Sequence, residues 1–228
     1  MGCYLAFMKI QLRDVGLVYD GGVPLFQGVS LDIDPGRFLL IEGPSGSGKS
    51  SLLRLLNRLQ EPTSGEILID GQSVGAHDVP TFRRRIGYLQ QSPVMVEGSV
   101  ADNLLLPFGF AAARRKVAPS AADLRQLLQD YLLHDVDLAS AASKLSVGQK
   151  QRIALIRMLL MQPEVLLCDE PTSALDPASR EIVQESLEKL NVAKQMTVVV
   201  VTHVDFTTQR VIPLRYRLTR DAGFQEVA

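Results

Sequence analysis

The stretch that decides the fold is FLLIEGPSGSGKS, residues 38–50, in which a short apolar run leads directly into a glycine-rich loop. Residues 43–50 match the pattern G-x-x-x-x-G-K-[ST], and leucines at helical spacing follow from Ser50. Glycines let the backbone curl so that successive N–H groups point inward, and the start of a helix adds partial positive charge there. The stretch therefore predicts a strand, a phosphate-binding loop and a helix in direct succession.

Each residue of this loop is a candidate nucleotide ligand. The ammonium of Lys49 is predicted to reach the β- and γ-phosphates, and the hydroxyl of Ser50 is predicted to bind Mg²⁺. Kinases, GTPases and motor ATPases all remain possible at this point, although a GTPase would need an Asn-Lys-x-Asp guanine reader, which the sequence lacks. The candidate phosphate-binding residues are Gly43, Pro44, Ser45, Gly46, Ser47, Gly48, Lys49, Ser50 and Ser51.

Length and composition exclude several other classes. The 228 residues suffice for one full-sized domain or two unequal lobes, and 46% apolar residues rule out intrinsic disorder as the main state. The net charge of −1 argues against a protein that grips nucleic acid through its overall charge. The basic clusters at residues 83–85 and 114–116 could bind nucleic acid or lipid headgroups, but a solvated face is the favoured interpretation. No nucleic-acid partner is expected.

Cysteine usage and hydropathy point to the cytoplasm. Cys3 and Cys168 lie far apart and form no disulfide framework, which suits a reducing compartment. No apolar run approaches the ~18 to 20 residues needed to span a bilayer, and the amino end lacks the order of a signal peptide. We expect a cytoplasmic chain that reaches the cytoplasmic face of the inner membrane only through a partner.

The remaining chain alternates between apolar runs and helical periods. Helices are predicted from Ser50, across residues 153–160 and across residues 182–190, whereas residues 92–145 indicate a smaller helical lobe. From about Arg217 the sequence indicates a polar tail with little structure. Short runs that are apolar on both faces predict buried strands of a largely parallel sheet at residues 38–42, 66–70, 86–90, 165–169 and 197–202.

An acidic pair ends one of these runs. Asp169 and Glu170 follow the apolar residues 165–168, and ligands bind at the carboxyl ends of the strands in such sheets. Asp169 is predicted to lie near Mg²⁺ through a water molecule, and Glu170 to polarise the attacking water. The alternative is a pair of acids at a helix start with Pro171 in the first turn. That alternative does not account for their place after a buried strand.

A second candidate anion-binding loop, LSVGQ at residues 145–149, precedes a basic helix start. Ser146 and Gly148 open this helix, so their amides and the hydroxyl can hold an anion. Here the sequence resembles the ATP-binding-cassette (ABC) ATPases, whose hallmark is LSGGQ. The resemblance covers nearly the whole chain, because the phosphate loop, Gln91, the hallmark run, the acidic pair and His203 follow in the family's order.

The resemblance implies a fold and a set of site residues. It implies one α/β domain over residues 1–228: a P-loop NTPase core with a mostly parallel sheet (1–91 and 146–216), an N-terminal antiparallel β element, a helical subdomain (92–145) and a tail (217–228). Tyr19 would stack on adenine, His203 would be the switch histidine, and Gln91 is preferred over Gln90 because Ser92-Pro93 follows. The implied residues are Glu170, His203, Lys49 and Gln91 for catalysis, Tyr19, Ser146, Gly148, Gln149 and Asp176 for nucleotide binding beyond the phosphate loop, and Ser50, Gln91 and Asp169 for the metal.

Three departures from the family pattern stand out. Val147 replaces the first glycine of LSGGQ, which excludes left-handed backbone there but not an ordinary helix start. Ser51 replaces the commoner threonine after Ser50. The segment after His203 is shorter than the helix usually found there, which predicts a less well anchored switch region.

The implied mechanism is an ATPase with cofactors ATP and Mg²⁺. Two copies would face each other head to tail, each ATP lying between one phosphate loop and the partner's residues 145–149, and hydrolysis would reopen the pair. Separate transmembrane subunits would dock at residues 93–96, unless these apolar residues are buried locally. Small size and residues 102–108 resemble stand-alone subunits of metal- or iron-export type.

Two other functions compete with transport. ABC-type ATPases that serve DNA or complex maintenance carry long coiled coils between the phosphate loop and the hallmark run, and this chain has no heptads there. A catalytically dead nucleotide-binding module is the other alternative, and the intact acidic pair and His203 argue against it.

Overall fold

The computed structural model describes residues 8–19, 22–110, 117–220 and 223–227. A central sheet of six strands has the order β10-β9-β3-β8-β7-β6, in which all neighbours are parallel except β10 and β9. Strands β3, β7 and β8 are buried almost throughout, as expected for runs that are apolar on both faces. The strands are β3 (Phe38–Glu42), β6 (Ile86–Leu89), β7 (Val165–Asp169), β8 (Thr197–Thr202), β9 (Leu214–Thr219) and β10 (Gly223–Val227).

A second, antiparallel sheet has the order β2-β1-β4-β5. It consists of β1 (Ile10–Val18), β2 (Pro24–Ile33), β4 (Ser64–Ile69) and β5 (Gln72–Ser73). The placement of residues 66–70 in the parallel sheet is therefore wrong, because β4 pairs antiparallel with β1 and buries only alternate residues, Ile67 and Ile69. The prediction of an antiparallel element near the amino end is confirmed.

Six α-helices are described. The predicted helices after the phosphate loop and around residues 153–160 and 182–190 are confirmed as α1, α5 and α6. Short 3-10 helices add single turns at Val74–Ala76, Leu106–Gly109 and Ala142–Lys144. The α-helices are α1 (Lys49–Leu56), α2 (Val79–Arg85), α3 (Val100–Leu105), α4 (Ala121–Asp130), α5 (Val147–Leu159) and α6 (Pro177–Lys194). None of the helices in the described ranges is both long and apolar enough to cross a bilayer.

Three apolar clusters hold these elements in place. The first joins the antiparallel sheet, α1 and one face of the central sheet, so Leu52 and Leu56 pack between the two sheets. The second lies on the opposite face of the central sheet under α5 and α6. The third belongs to the helical lobe, where Leu124 and Leu128 pack with Ile153 and Ile156 of α5. Helix α5 therefore connects the lobe to the core.

The carboxyl end is folded, so the prediction of a polar tail with little structure from Arg217 is wrong. β9 pairs parallel with β3, the strand that leads into the phosphate loop, and β10 returns antiparallel along β9. Leu218 is fully buried, and the ring of Tyr216 stacks on Phe224 at a centroid distance of 4.9 Å. The alternation of arginines with apolar residues in β9 is that of a strand near a sheet edge.

The segment after His203 is also well anchored, contrary to the expectation drawn from its length. We call residues 203–210 the switch segment. The buried carboxylate of Glu188 on α6 accepts the backbone N–H groups of Gln209, at 2.8 Å, and Arg210. Phe206 is buried against Phe38. The contacts with Glu188 on α6 and Phe38 on β3 therefore anchor the switch segment without the helix usually found there.

Candidate nucleotide-binding site

The phosphate loop (residues 43–50) joins β3 to α1, and its glycines are required by close contacts. Gly48 is the N-cap of α1 with φ +102°, and a Cβ there would lie 2.7 Å from Phe26 Cδ1. A Cβ on Gly43 would lie 2.1 Å from the carbonyl oxygen of Leu218. Because Gly48 has no side chain to cap the helix, the first amides of α1 remain open to an anion.

Lys49 is folded back onto this loop. Its ammonium donates to the carbonyl oxygens of Gly43, at 2.8 Å, and Pro44, at 3.0 Å. Burial lowers the pKa of Lys49 from its ordinary value, and the charges of Glu170 and Asp169 oppose that shift. The hydroxyl of Ser47 is buried in the loop and has no hydrogen-bond partner. A loop with a buried cation and an orphaned hydroxyl fits a phosphate group.

Ser50 and Asp169 are brought together as predicted. The Ser50 hydroxyl donates to Asp169 Oδ1 at 2.7 Å, which joins α1 to the carboxyl end of β7. The other carboxylate oxygen, Oδ2, accepts a hydrogen bond of 2.7 Å from the hydroxyl of Tyr88 on β6. A hydroxyl and a carboxylate are hard oxygen ligands, so this pair fits Mg²⁺ completed by phosphate and water oxygens.

Glu170 is held between two of the other predicted catalytic residues, Gln91 and His203. Its backbone has φ +47°, an uncommon left-handed conformation for a side chain, and its N–H donates to the carbonyl of Val201. Glu170 Oε1 lies 2.7 Å from His203 Nδ1, and Oε2 accepts from Gln91 Nε2 at 2.9 Å. Gln91, not Gln90, is therefore the glutamine whose side chain contacts Glu170. In this structure its amide contacts Glu170 and Ser173 and not the Ser50–Asp169 pair.

These groups surround one open cleft of about 410 Å³. The hydroxyl of Tyr19 lies 2.8 Å from Ser51 Oγ, and 47% of Tyr19 is exposed, so the ring is free to stack on a base. The lining residues are Tyr19, Leu25, Ser45, Gly46, Gly48, Lys49, Ser50, Ser51, Gln91, Glu170, His203 and Arg220.

Sequence reasoning missed two residues of this region. Arg220 follows β9, and its Nε donates to the carbonyl of Gly46 at 3.3 Å. No local signal identifies Arg220, because its position depends on the pairing of β9 with β3. Tyr88 was missed although a signal existed: its strand ends two residues before the predicted glutamine and neighbours the acidic strand.

The signature loop (residues 145–149) starts α5 with a side-chain cap. Ser146 is the N-cap, and its hydroxyl accepts the N–H of Gln149 at 3.2 Å while Gln149 Oε1 accepts the N–H of Ser146 at 2.8 Å. Val147 is the first helical residue, which confirms an ordinary helix start there, and is 50% exposed. A Cβ on Gly148 would lie 2.7 Å from Ser179 Oγ. The glycine is required by packing against α6.

The signature residues do not line the cleft of their own chain, and neither does Asp176. Asp176 is the N-cap of α6 and accepts the N–H of Ser179 at 3.0 Å. Hydrogen bonds from the Ser179 backbone and side chain lower the pKa of Asp176. The structure thus divides the predicted nucleotide ligands into one set around the phosphate loop and a second set at the starts of α5 and α6.

The strand, phosphate loop and helix, with a carboxylate pair on a nearby parallel strand, define a P-loop nucleoside triphosphatase. Residues 26–173 match the ABC transporter family, and the chain belongs to that family. It is an ABC ATPase domain, and both the recognised family and the predicted fold class are confirmed.

Individual relatives agree with this assignment. ABC transporter I family member 17 of Arabidopsis thaliana is 43% identical over 198 residues, which cover 86% of this chain and 73% of the relative. Protein STAR1 of Oryza sativa subsp. japonica is 44% identical over 193 residues, covering 85% of this chain and 55% of the relative, so the chain spans about half of that protein. A solved ATP-binding cassette, a dimer in a post-hydrolysis state bound to ADP and Pi, has a TM-score of 0.80 at 31% identity and covers 95% of this chain and 98% of its own.

Proposed function

We propose that this chain is the ATP-hydrolysing subunit of a membrane transporter, that it pairs around ATP with a second copy, and that it drives solute transport through separate transmembrane subunits. The observation that carries the proposal is the position of Glu170, which Gln91 and His203 hold beside the phosphate loop. The family and the dimeric relative support the same reading.

Nucleotide binding begins at the phosphate loop. The open amides of α1 and the ammonium of Lys49 bind the β- and γ-phosphates, while Tyr19 stacks on the adenine. We assign Ser50 and Asp169 to Mg²⁺, Ser50 as a direct ligand and Asp169 through water. When bound there, the metal ion neutralises charge on the phosphate oxygens.

Hydrolysis depends on Glu170. An attacking water beside its carboxylate gives up a proton as the water oxygen bonds to the γ-phosphorus and the bond to the β-phosphate oxygen breaks, releasing ADP and phosphate. His203 contacts one carboxylate oxygen of Glu170 and Gln91 contacts the other, so the two residues fix the orientation of this carboxylate. The left-handed backbone of Glu170 aims its side chain at this position.

A second copy supplies the missing half of the site. Ser146, Gly148 and Gln149 lie outside the cleft of their own chain, so they contact nucleotide only across an interface. ATP held between the phosphate loop of one copy and the signature loop of the other keeps the pair closed. Cleavage of the γ-phosphate removes that bridge and reopens the pair.

The membrane subunits dock beside Gln91. Residues 93–96 combine exposed and buried apolar side chains: Val94 is 61% exposed, whereas Met95 packs against the core and the lobe. A cavity of about 840 Å³ opens there and is lined in part by Pro93, Met95 and Val96. Such a surface suits a short helix of a transmembrane partner, and we assign the chain to the cytoplasmic face of the membrane on that basis.

The test is Glu170→Gln. The amide cannot accept the water's proton, so the variant should bind ATP, form a stable ATP-dependent dimer and release almost no phosphate. Light scattering after size exclusion and phosphate release measure the two effects. Glu66→Gln, an exposed position on β4, is the matched control and should behave as wild type. Unchanged turnover of Glu170→Gln would show that Glu170 is not the catalytic base. ATP binding by this variant without dimer formation would contradict the proposed ATP-dependent dimer.

A further inference from the structure

Each carboxylate oxygen of Asp169 accepts a hydrogen bond, and the two donors lie on different elements of the fold. Oδ1 accepts from Ser50 on α1, the residue that faces the phosphate loop. Oδ2 accepts from Tyr88 on β6, the edge strand of the central sheet. The first contact joins the two residues assigned to Mg²⁺, whereas Tyr88, the partner in the second, is not one of them.

The register of the strands explains how Tyr88 reaches this carboxylate. Tyr88 is paired with Leu167 across the parallel strands β6 and β7. Leu167 and Asp169 lie on the same face of β7, because side chains alternate along a strand. The ring of Tyr88 therefore lies on the Asp169 face, packed against the first apolar cluster, and its hydroxyl meets the carboxylate.

The hydroxyl of Tyr88 is held in place as a donor. The ring packs against the first apolar cluster, and the O–H donates to Asp169 Oδ2 at 2.7 Å. A donor fixed by packing holds its acceptor oxygen in one orientation.

We propose that Tyr88 is a positioning residue for the metal-binding carboxylate: by holding Oδ2, it turns Oδ1 toward Ser50 and toward water in the coordination shell of Mg²⁺. This inference rests on the proposed assignment of Ser50 and Asp169 to Mg²⁺. Without the Tyr88 contact, the carboxylate has one oxygen without its donor and can rotate away from the metal. Residues that orient a metal-binding group in this way commonly change metal affinity by 10- to 100-fold when altered.

The experiment compares Tyr88→Phe with wild type in nucleotide binding, not in turnover. A fluorescent ATP analogue is titrated onto the purified chain in EDTA, and binding at fixed nucleotide is then followed as free Mg²⁺ increases. Tyr88→Phe should raise the half-saturating Mg²⁺ concentration about tenfold and leave the affinity in EDTA within about twofold. Tyr216→Phe, a half-buried tyrosine on β9 that stacks on Phe224, is the matched control and should match wild type.

The outcomes separate the inference from the assignment on which it rests. If nucleotide binding by the wild type does not respond to Mg²⁺, the assignment of Ser50 and Asp169 fails and the inference fails with it. If the wild type responds and Tyr88→Phe has the same half-saturation, only the inference fails. An equal loss in EDTA and in Mg²⁺ shows a purely structural role and also overturns it.

A second variant keeps the test decisive if Tyr88→Phe does not fold. Tyr88→Met also removes the hydroxyl and keeps an apolar side chain packed against the first apolar cluster. Its half-saturating Mg²⁺ concentration should rise about tenfold, as for Tyr88→Phe. No rise in this variant would contradict the proposal.

Discussion

Two helices of this chain start at loops that bind phosphate in the proposed mechanism, and they start in different ways. Helix α1 follows Gly48, which lacks a side chain, and the first amides are left open beside a buried lysine. Helix α5 follows Ser146, whose hydroxyl and backbone N–H are both engaged by Gln149. Gln149 is bonded in turn to Asp135 at 2.9 Å.

This contrast indicates that the phosphate loop binds nucleotide before the signature loop does. The first amides of α1 are uncapped, so the phosphate loop can hold ATP in a single chain once Lys49 turns from the carbonyl oxygens of Gly43 and Pro44 to the phosphates. In the signature loop, the N–H of Gln149 is already satisfied by the Ser146 hydroxyl, which keeps its own O–H to donate to a phosphate. In the proposed mechanism, the signature loop therefore contributes when a second copy delivers a phosphate already bound elsewhere.

Among the variants that test the difference between the phosphate loop and the signature loop, Lys49→Met should have the largest effect. Loss of a desolvated charge that meets the phosphates should weaken ATP binding by a single chain roughly 100-fold. Calorimetric titration of ATP measures the change. Lys150→Met in α5 is the matched control beside the signature loop and should change ATP binding less than about twofold. Equal losses in the two variants would show that the two loops do not differ as described.

The next effect concerns Gly148. Gly148→Ala places a Cβ against Ser179 and should lower the free energy of unfolding by about 1–3 kcal/mol in urea denaturation. Ser179→Gly in the same chain should restore most of that loss, because it removes the atoms that clash. Gly109→Ala has no atom within 4 Å of the new Cβ and should change stability little. Failure of the rescue would mean that the contact with Ser179 is not the reason for a glycine at this position.

The smallest effect separates capping from nucleotide contact. Ser146→Ala should lower the free energy of unfolding by about 1 kcal/mol, leave ATP binding by a single chain unchanged, and weaken the ATP-dependent dimer formed in the Glu170→Gln background. Ser120→Ala at the start of α4 removes the same kind of capping box and should cost similar stability without affecting the dimer. If both serines affect the dimer equally, the Ser146 hydroxyl has no role beyond the cap.

Local patterns predicted those parts of the fold and site that depend on neighbouring residues. The phosphate loop requires glycines and a lysine within eight positions, and β3, β7 and β8 are recognisable because both faces are apolar. The structure also places Gln91, Glu170 and His203 side by side, as expected from strands that end at one sheet edge. Their catalytic roles remain predictions.

Long-range pairing explains what the sequence did not reveal. β4 joins the antiparallel sheet because β1 lies beside it, and β9 is ordered because β3 lies beside it. The sequence around Arg220 gives no sign that β9 pairs with β3. Tyr88 had a detectable pattern, but its contact with Asp169 depends on the register between β6 and β7.

The bond from Glu188 to the switch segment gives α6 a mechanical role. The first turn of this helix packs Ser179 close to Gly148, and Glu188, about two and a half turns further along, holds the backbone of the switch segment. In the proposed dimer, a displacement of the signature loop is therefore passed along α6 to the segment that follows His203.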